Sequence, residues 1–340
     1  MVNPEISAVV LFSGGLDSTL ATAVAKDQGL ELRGFHLDTG LHTSSGHQEQ
    51  LHRAAEELEI DIEIEPADQE YFELIRDPEH GYGSAMNPCL DCRIYMLKRA
   101  KAYLEQTGAD FVISGEVLGQ RPMTQRNKNL LSLVDGESGL EGYLVRPLSA
   151  KLLPPTVAEQ KGWIDRDQLY GIQGRSRKVQ LSLAEEYGIT EYQQPAGGCL
   201  LADPNFGHRL EEFIQQEDPD QLQEQDLILL QHGRHFRLPQ GSKAIIGRNE
   251  EENEVLHEYA EGKLRLEAAD RPGPTTILPG QPKPGDKQIA ARLTARYSGA
   301  DPEDRVTVQI RKNGEGEELD VRPVSADDPL IPKMRIEPSS

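Results

Sequence analysis

The chain of 340 residues is poor in cysteine and in aromatic side chains, with three Cys and 5% Phe, Trp and Tyr. Such an odd and sparse cysteine count argues against a disulfide framework and leaves reactive or metal-binding thiols as the alternative. No stretch approaches the roughly 18 consecutive apolar residues of a membrane span, so we expect no membrane partner. The first residues lack the basic and apolar regions of a secretory signal. We therefore expect a cytoplasmic protein.

Positive charge is also scarce, with 36 Lys and Arg against 57 Asp and Glu and a formal net charge of −21. Nucleic-acid binding that ignores sequence depends on cations that neutralise phosphates, so this balance disfavours a protein whose whole surface binds nucleic acid. Residues 93–101 and 146–180 are locally basic. These segments either serve a local anionic partner or are ordinary solvated helix faces.

Strand-like and helix-like patterns alternate through the first part of the chain. Apolar or alternating runs typical of strands are separated by segments with helical apolar spacing. The strand-like runs are residues 8–12, 32–37, 60–64 and 111–113, and the helix-like segments are 19–28, 46–58, 89–105, 157–164 and 176–187. This alternation predicts an α/β fold with a doubly wound, mostly parallel sheet that binds ligands at the carboxyl ends of its strands.

The texture of the sequence changes near residue 217, where an acidic, Gln-rich stretch begins. Beyond it, short apolar runs are broken by Gly and Pro, a pattern that indicates short strands. We predict one domain over residues 1–215 and a smaller β-rich domain over residues 216–340 with a flexible C-terminal tail. Residues 227–230 are among the predicted strands of the second domain.

A candidate phosphate-binding loop, Ser13-Gly14-Gly15-Leu16-Asp17-Ser18, follows the first strand and is called the phosphate loop below. A Gly-Gly pair between a strand and a helix lets backbone N–H groups point at an anion. Ser13 and Ser18 add hydroxyl donors. Asp17 would repel a phosphate unless a cation such as Mg²⁺ lies between them. The alternative is an ordinary turn with a helix cap.

The phosphate loop matches the Ser-Gly-Gly-X-Asp-Ser signature and resembles that of the PP-loop ATP pyrophosphatases. The resemblance implies the fold of the adenine nucleotide alpha hydrolases. It also implies cleavage of ATP between the α- and β-phosphates, which forms an adenylated substrate and pyrophosphate. In that family Ser13, Gly14, Gly15, Asp17 and Ser18 would hold the pyrophosphate portion together with Mg²⁺.

The three cysteines fall in two turns, Cys89-Leu90-Asp91-Cys92 at a predicted helix start and Cys199 after a Gly-Gly pair. Three thiolates can hold a [4Fe-4S] cluster with one open iron that carries sulfide. Alternatively, a thiolate at a helix N-terminus carries a persulfide while a second thiolate attacks it to form a disulfide. Two further interpretations are three unrelated buried thiols and a structural zinc site with a ligand such as His208.

Asn87-Pro88-Cys89 with Cys92 resembles the Asn-Pro-Cys segment of tRNA 2-thiouridine synthases. The addition of a distant cysteine is similar to iron–sulfur-dependent tRNA thiolation enzymes, including short 4-thiouridine synthases. This resemblance covers roughly residues 8–210. It implies an ATP-dependent tRNA sulfurtransferase in which Asp17, Cys89, Cys92 and Cys199 are catalytic and the three cysteines are the metal ligands. The sulfur would come from sulfide or from a cysteine desulfurase.

Other residues are candidates for nucleotide binding. Ser114 and Gly115 follow the strand at residues 111–113 and occupy the place of a second nucleotide loop. Arg177 and Lys178 open a predicted helix, where N–H groups and cations favour a phosphate of ATP or RNA. Asp38 follows the second strand and either contacts ribose or adenine or forms a turn.

Two groups near these candidates have no clear assignment. Arg121 either pairs with phosphate or RNA or lies in a surface loop. His36, His42 and His47 are close in sequence, but their spacing matches no metal-binding pattern and predicts no role.

The second domain resembles the RNA-binding domain of NFACT proteins in three segments, residues 235–239, 246–253 and 271–275. The resemblance implies that Arg234, Arg237, Lys243 and Arg248 contact phosphate while loops recognise RNA shape. A dimerisation or structural cap is the alternative.

The leading functional hypothesis is ATP-dependent thiolation of a tRNA nucleobase. One alternative keeps the ATP chemistry in a small-molecule sulfurtransferase or a carboxylate-adenylating ligase. Another is an RNA-binding protein that senses ATP. A homodimer is possible in each case.

Overall fold

The computed structural model describes residues 6–42, 46–193, 199–217 and 222–337. These residues group into two compact units, Met1–Ala202 and Asp203–Ser340. Within the described ranges, no helix is both long and apolar enough to cross a bilayer.

The first unit alternates strands with helices. Its strands are β1 (Ser7–Leu11), β2 (Glu31–Asp38), β3 (Asp61–Pro66), β4 (Phe111–Ser114) and β5 (Leu144–Val145). Its helices are α1 (Leu16–Asp27), α2 (His47–Glu57), α3 (Gln69–Arg76), α4 (Cys89–Thr107), α5 (Lys128–Glu137), α6 (Val157–Gln160) and α7 (Lys178–Glu186). The predicted doubly wound α/β architecture is confirmed, although the helix expected over residues 157–164 ends at Gln160.

The five strands form a parallel sheet in the order β3-β2-β1-β4-β5. Strands β1 and β4 lie at its centre and are almost fully buried, which explains their continuous apolar sequences. The chain runs outward from β1 through β2 to β3 and then returns to the other side of β1 as β4. A crevice is expected where the strand order reverses, at the carboxyl ends of β1 and β4. The phosphate loop and residues 114–116 follow these two strand ends.

The second unit contains an antiparallel sheet. Its strands are β6 (Arg234–Arg237), β7 (Lys243–Ile246), β8 (Leu264–Ala268), β9 (Thr276–Leu278), β10 (Val306–Lys312) and β11 (Glu315–Val321), in the order β11-β10-β8-β9-β7-β6. Its helices are α8 (Pro204–Gln216), α9 (Glu224–Gln231), α10 (Glu250–Glu258), α11 (Pro284–Tyr297) and α12 (Leu330–Met334). The core joins the apolar face of α11, including Ala290 and Leu293, to sheet residues such as Val306 and Val308.

The prediction of a strand at residues 227–230 is wrong, because these residues lie in α9. A short apolar run fits a strand and a buried helix equally well. Reciprocal hydrogen bonds between Gln223 and Asp226 fix the start of this helix.

Strand β11 forms one edge of the second sheet, and most of its side chains are exposed. Four of its seven residues are acidic: Glu315, Glu317, Glu318 and Asp320. Its partner β10 shields only one side of the strand.

Candidate nucleotide and cysteine site

The phosphate loop leaves the first N–H groups of α1 available to an anion. Gly14 has a left-handed backbone (φ +66°), and a Cβ there would lie 3.3 Å from the Leu51 Cα atom. Gly15 is the N-cap of α1, and no side chain caps the helix at this position. Because the first N–H groups of a helix have no partner within the helix, they are suited to bind phosphate oxygens.

The two serines of the phosphate loop have different environments. The Ser18 hydroxyl is buried and donates to the Gly15 carbonyl at 2.9 Å. It lies 3.1 Å from the hydroxyl of Ser13, which is exposed. Ser18 therefore stabilises the loop from within, while Ser13 is accessible to a ligand.

Asp17 has one satisfied and one unsatisfied carboxylate oxygen. Its Oδ2 accepts a 2.7 Å hydrogen bond from the Gln120 amide. Its Oδ1 is buried and has no hydrogen-bond partner among the described residues. A buried carboxylate oxygen of this kind is costly unless a donor or cation satisfies it. Since carboxylate oxygens are typical Mg²⁺ ligands, the residues fit a divalent cation beside the phosphates.

Gly115 packs directly on the backbone of the phosphate loop. A Cβ at this position would lie 2.5 Å from both the Asp17 carbonyl carbon and the Ser18 nitrogen. No real Cβ approaches backbone so closely, so only glycine fits. Ser114 is completely buried, and its hydroxyl donates to Glu116 at 3.2 Å. Of the two predicted residues, Gly115 thus packs against the phosphate loop, and Ser114 forms a buried hydrogen bond with Glu116.

Glu116 belongs to a buried network of ion pairs. Its carboxylate accepts hydrogen bonds from the Nε atoms of Arg93 (3.0 Å) and Arg146 (2.9 Å), and Arg146 also forms two bonds with Asp135. Burial alone would raise the pKa of Glu116, but the charges of Arg93 and Arg146 lower it to about 2. This carboxylate therefore has a structural role, because its ion pairs connect β4, β5 and α4.

Replacing Glu116 by alanine is expected to destabilise the protein by about 3–5 kcal/mol, because two arginines then lose their buried counter-ion. The free energy of unfolding, measured with urea, tests this, with exposed Glu141→Ala as the unaffected control. Since the folded pKa lies below the unfolded value of roughly 4.3, the contribution is complete above pH 5 and is lost as the pH falls toward 2. Equal stability of both variants would contradict the network's role.

The three cysteines come from two distant segments, yet they contribute to the raised pKa values of Cys92 and Cys199. Cys89 and Cys92 lie on the first turn of α4, and Cys199 pairs through its backbone with His42, beyond the end of β2. Burial raises the pKa of Cys92 to about 12, with further contributions from Cys199 and Cys89. The phenol of buried Tyr71 lies 3.5 Å from the Cys92 sulfur. We call Cys89, Cys92 and Cys199 the cysteine group.

The sulfurs of the cysteine group do not all lie within 4.8 Å of one another. Ligands of a single tetrahedral zinc are about 3.8 Å apart for zinc–sulfur bonds of 2.3 Å. A mononuclear site of all three thiols therefore does not fit without movement. A larger cluster separates its ligands, because each sulfur binds a different iron. His208, the alternative zinc ligand, lies on α8 in the second unit.

A short segment links the phosphate loop to the cysteine group. The Gln120 amide donates a hydrogen bond to Asp17, and the next residue, Arg121, affects the pKa of Cys89 through its positive charge. Burial raises the pKa of the Cys89 thiol, and the positive charge of Arg121 opposes that shift. The sequence alone did not indicate this electrostatic effect of Arg121 on a cysteine.

The remaining predicted nucleotide ligands differ in availability. Asp38 accepts hydrogen bonds from His42, Gly40 and Gln48, and the His42 contact is the main reason that its pKa is lowered. Its carboxylate is thus occupied by protein donors. The half-buried Arg177 has an Nε atom without a partner in the described part of the chain, and Lys178 is exposed. Both lie at the start of α7, which packs against α1.

The four predicted RNA-binding cations of the second unit make internal contacts instead. Arg237 and buried Lys243 both pair with Glu212. Arg248 pairs with Glu252, while Arg234 donates to the Gly247 carbonyl and stacks over Tyr297. The carboxylates of Glu212 and Glu252 thus offset the charges of Arg237, Lys243 and Arg248, whereas the contacts of Arg234 are with neutral groups.

Comparison with protein families finds one match in each part of the chain. Residues 5–149 match the family described as thiamine biosynthesis protein (ThiI), and residues 233–329 match the NFACT protein RNA binding domain. The first part of the chain is thus similar to the ThiI family, and the second part is similar to the NFACT RNA-binding domain. The predicted family resemblances are thereby confirmed.

Curated relatives align with most of the chain, across both the ThiI-type and the NFACT region. The tRNA-specific 2-thiouridylase MnmA of Lactobacillus delbrueckii subsp. bulgaricus is 22% identical over 333 residues, which cover 88% of this chain and 84% of that protein. The protein of the same name from Listeria monocytogenes is 24% identical over 354 residues, which cover 95% and 90%.

Two solved structures are also similar. A 4-thiouridine synthetase in complex with RNA and ATP has a TM-score of 0.40 and 20% identity, covering 67% of this chain and 53% of that one. The U34-tRNA thiolase NcsA from Methanococcus maripaludis, with its [4Fe-4S] cluster, has a TM-score of 0.33 and 14% identity, covering 64% and 70%.

Proposed function

We propose that this protein is an ATP-dependent tRNA sulfurtransferase. A nucleobase carbonyl oxygen attacks the α-phosphorus of ATP, and pyrophosphate leaves. Hydrosulfide then adds to the activated carbon, the original oxygen departs with AMP, and the sulfur loses its proton. Adenylation is needed because it converts a poor oxygen leaving group into a good one. The ThiI-type domain and the 2-thiouridylase relatives support this reaction class.

Two neighbouring residues, Gln120 and Arg121, support the assignment most strongly. The Gln120 amide donates a hydrogen bond to Asp17, and the positive charge of Arg121 opposes the rise in the pKa of Cys89. This supports the proposal that an ATP site and a sulfur site are neighbours at the carboxyl end of the sheet. In our proposal, the open N-terminus of α1 and Ser13 bind the phosphates, and Asp17 holds Mg²⁺ through its unpaired oxygen. Arg177 and Lys178 neutralise phosphates of ATP or RNA.

The cysteine group is the proposed sulfur site, and its donor set fits a [4Fe-4S] cluster better than a persulfide. A persulfide mechanism needs a thiolate with a lowered pKa, whereas burial raises the pKa of all three thiols. A bound metal centre, by contrast, deprotonates its thiol ligands outright. Cys89, Cys92 and Cys199 would hold the cluster, which supplies an open iron for sulfide. Tyr71 stabilises the site by packing beside Cys92.

The substrate RNA is proposed to engage the NFACT RNA-binding domain as well as the catalytic unit. Since Arg237, Lys243 and Arg248 are paired with carboxylates, we propose that other groups supply part of the RNA contacts. RNA recognition by backbone shape and 2′-hydroxyl contacts requires fewer cations than binding to bare phosphates.

Anaerobic purification followed by iron, sulfide and thiolation assays tests the proposal. We expect about four iron and four sulfide per chain and pyrophosphate release that depends on tRNA. Cys89→Ala, Cys92→Ala and Cys199→Ala should each abolish iron binding and thiolation. Exposed Ser182→Ala in α7 is the control that should retain both.

Different failures have different meanings in this experiment. Stoichiometric iron in any of the three cysteine variants would exclude the cluster assignment. Turnover of small molecules without RNA would instead indicate a small-molecule sulfurtransferase or ligase. Intact RNA binding without any pyrophosphate release would indicate an ATP-sensing RNA-binding protein.

A further inference from the structure

Three histidines lie together beside the phosphate loop and have no part in the proposed reaction. His36 lies on β2, His42 follows the end of that strand, and His47 is the first residue of α2. One ring nitrogen of each lies within 4.8 Å of the others, the one such group of three potential ligands found across the described ranges. We call these residues the histidine group.

Two of the histidines are already spaced like ligands of one metal ion. The Nε2 atoms of His36 and His47 are 3.3 Å apart. Two nitrogens bound to a tetrahedral ion at 2.0–2.1 Å are separated by about 3.3 Å. The pair therefore needs little movement to share an ion.

The opposite nitrogen of the His36 ring has the acceptor that a metal-bound histidine usually has, whereas that of His47 faces a side-chain amide. His36 Nδ1 donates to the Phe12 carbonyl at 2.9 Å, which leaves the lone pair on Nε2, facing His47. His47 Nδ1 lies 2.9 Å from the Gln193 amide. A turned amide would present its oxygen to Nδ1 and would lose the 3.4 Å hydrogen bond that Gln193 Nε2 donates to the His47 carbonyl. Such outer partners fix the tautomer and orient a ligating ring.

His42 supplies the third donor. Its Nε2 is bonded to Asp38 at 3.0 Å, which leaves Nδ1 as the coordinating atom. The ring is stacked on His47 with centroids 3.6 Å apart, and one ring nitrogen of each histidine lies within 4.8 Å of the others. The His42 side chain is 27% exposed, so its ring has room to adjust to an ion.

We propose that His36, His42 and His47 bind one divalent transition-metal ion of the zinc class through neutral imidazole nitrogens. The ion would join β2 to the start of α2. Because the backbone of His42 pairs with Cys199 and that of Gln193 pairs with Gly15, it would also brace the segments of the third cysteine and the phosphate loop. The ion is distinct from a cluster on the cysteine group, and its binding does not depend on the proposed reaction.

The rival is a hydrogen-bonded chain without metal. In that arrangement, Gln193 donates to His47, His47 donates to His36, and His36 donates to Phe12, so every nitrogen in the chain has a partner. The two arrangements differ in one measurable property, which is the affinity for a transition metal.

Titration of the full-length chain, without a histidine tag and treated with chelator, with Co²⁺ and then Zn²⁺ distinguishes them. We expect one equivalent of Co²⁺ with visible d–d absorption and no thiolate charge-transfer band, and displacement by Zn²⁺. His36→Ala and His47→Ala should weaken binding more than about 100-fold. Exposed His52→Ala on the same helix is the matched control and should bind normally.

Cys199→Ala separates this site from the cysteine group and should leave Co²⁺ binding unchanged. Loss of Co²⁺ in that variant, with retention in His47→Ala, would assign the ion to the thiols and overturn the proposal. Failure of the folded wild-type chain to bind Co²⁺ would leave the hydrogen-bonded chain as the correct description. Circular dichroism of each variant identifies any loss of binding that is due to misfolding.

Discussion

Replacing Asp17 by alanine is expected to lower pyrophosphate formation by about 100- to 1,000-fold, the range observed when one charge-stabilising group is removed from an active site. The variant lacks both the unpaired Oδ1 atom and the acceptor of the Gln120 hydrogen bond. Without them, no carboxylate at this position holds a cation against the phosphates. Pyrophosphate release is measured at saturating ATP and tRNA over a range of Mg²⁺ concentrations.

Two further variants show whether the charge of Asp17 matters. Asp17→Asn keeps the shape and one acceptor but removes the charge, so it should need much more Mg²⁺ than the native protein. Asp27→Ala changes an exposed carboxylate at the other end of α1 and should have no effect. Iron content should be native in all three. A native rate of Asp17→Ala at ordinary Mg²⁺ would exclude the metal-binding role.

Replacing Gly115 by alanine should abolish measurable ATP binding. The new methyl group would lie 2.5 Å from two atoms of the Asp17–Ser18 backbone, which belong to the first turn of α1 and have little freedom to move. The phosphate loop must therefore shift, and its N–H groups and Asp17 lose their alignment. Calorimetric titration with a non-hydrolysable ATP analogue measures the effect directly.

Gly136→Ala is the matched control for Gly115→Ala. Gly136 lies in α5, and a Cβ there meets nothing within 4 Å. Alanine favours the helix by roughly 1 kcal/mol, so this variant should bind ATP normally and unfold at a slightly higher temperature. If Gly115→Ala bound ATP with native affinity, the prediction would be wrong. The phosphate loop would then tolerate the movement that the new methyl group requires.

Much of the first unit could be predicted from sequence because its signals are local. A buried parallel strand appears as a continuous apolar run, as at residues 8–11, and the glycine loop after it restricts the possible connections. The proposed nucleotide site rests on that loop and its position in the sheet. The C-terminal run at residues 227–230 was ambiguous for the same physical reason, because a short apolar segment has no period of its own.

The details of the site depend on contacts between residues distant in sequence, which local patterns do not contain. The sequence around Glu116 does not distinguish it from a free carboxylate. Its structural role arises because Arg93 and Arg146 approach it in the folded protein. The requirement for Gly115 arises from packing against Asp17, almost 100 residues earlier. The histidine group had no predicted role because its spacing suggests none until β2 and α2 bring the rings together.

The acidic edge strand β11 has a consequence for how macromolecules approach the second unit. An unpaired edge normally invites another strand, but a row of carboxylates repels an identical edge and so discourages fibrous self-assembly. The same carboxylates repel the phosphates of RNA. We therefore expect an RNA chain that docks on this unit to avoid β11. The acidity that argued against nucleic-acid binding would then determine how the RNA is oriented.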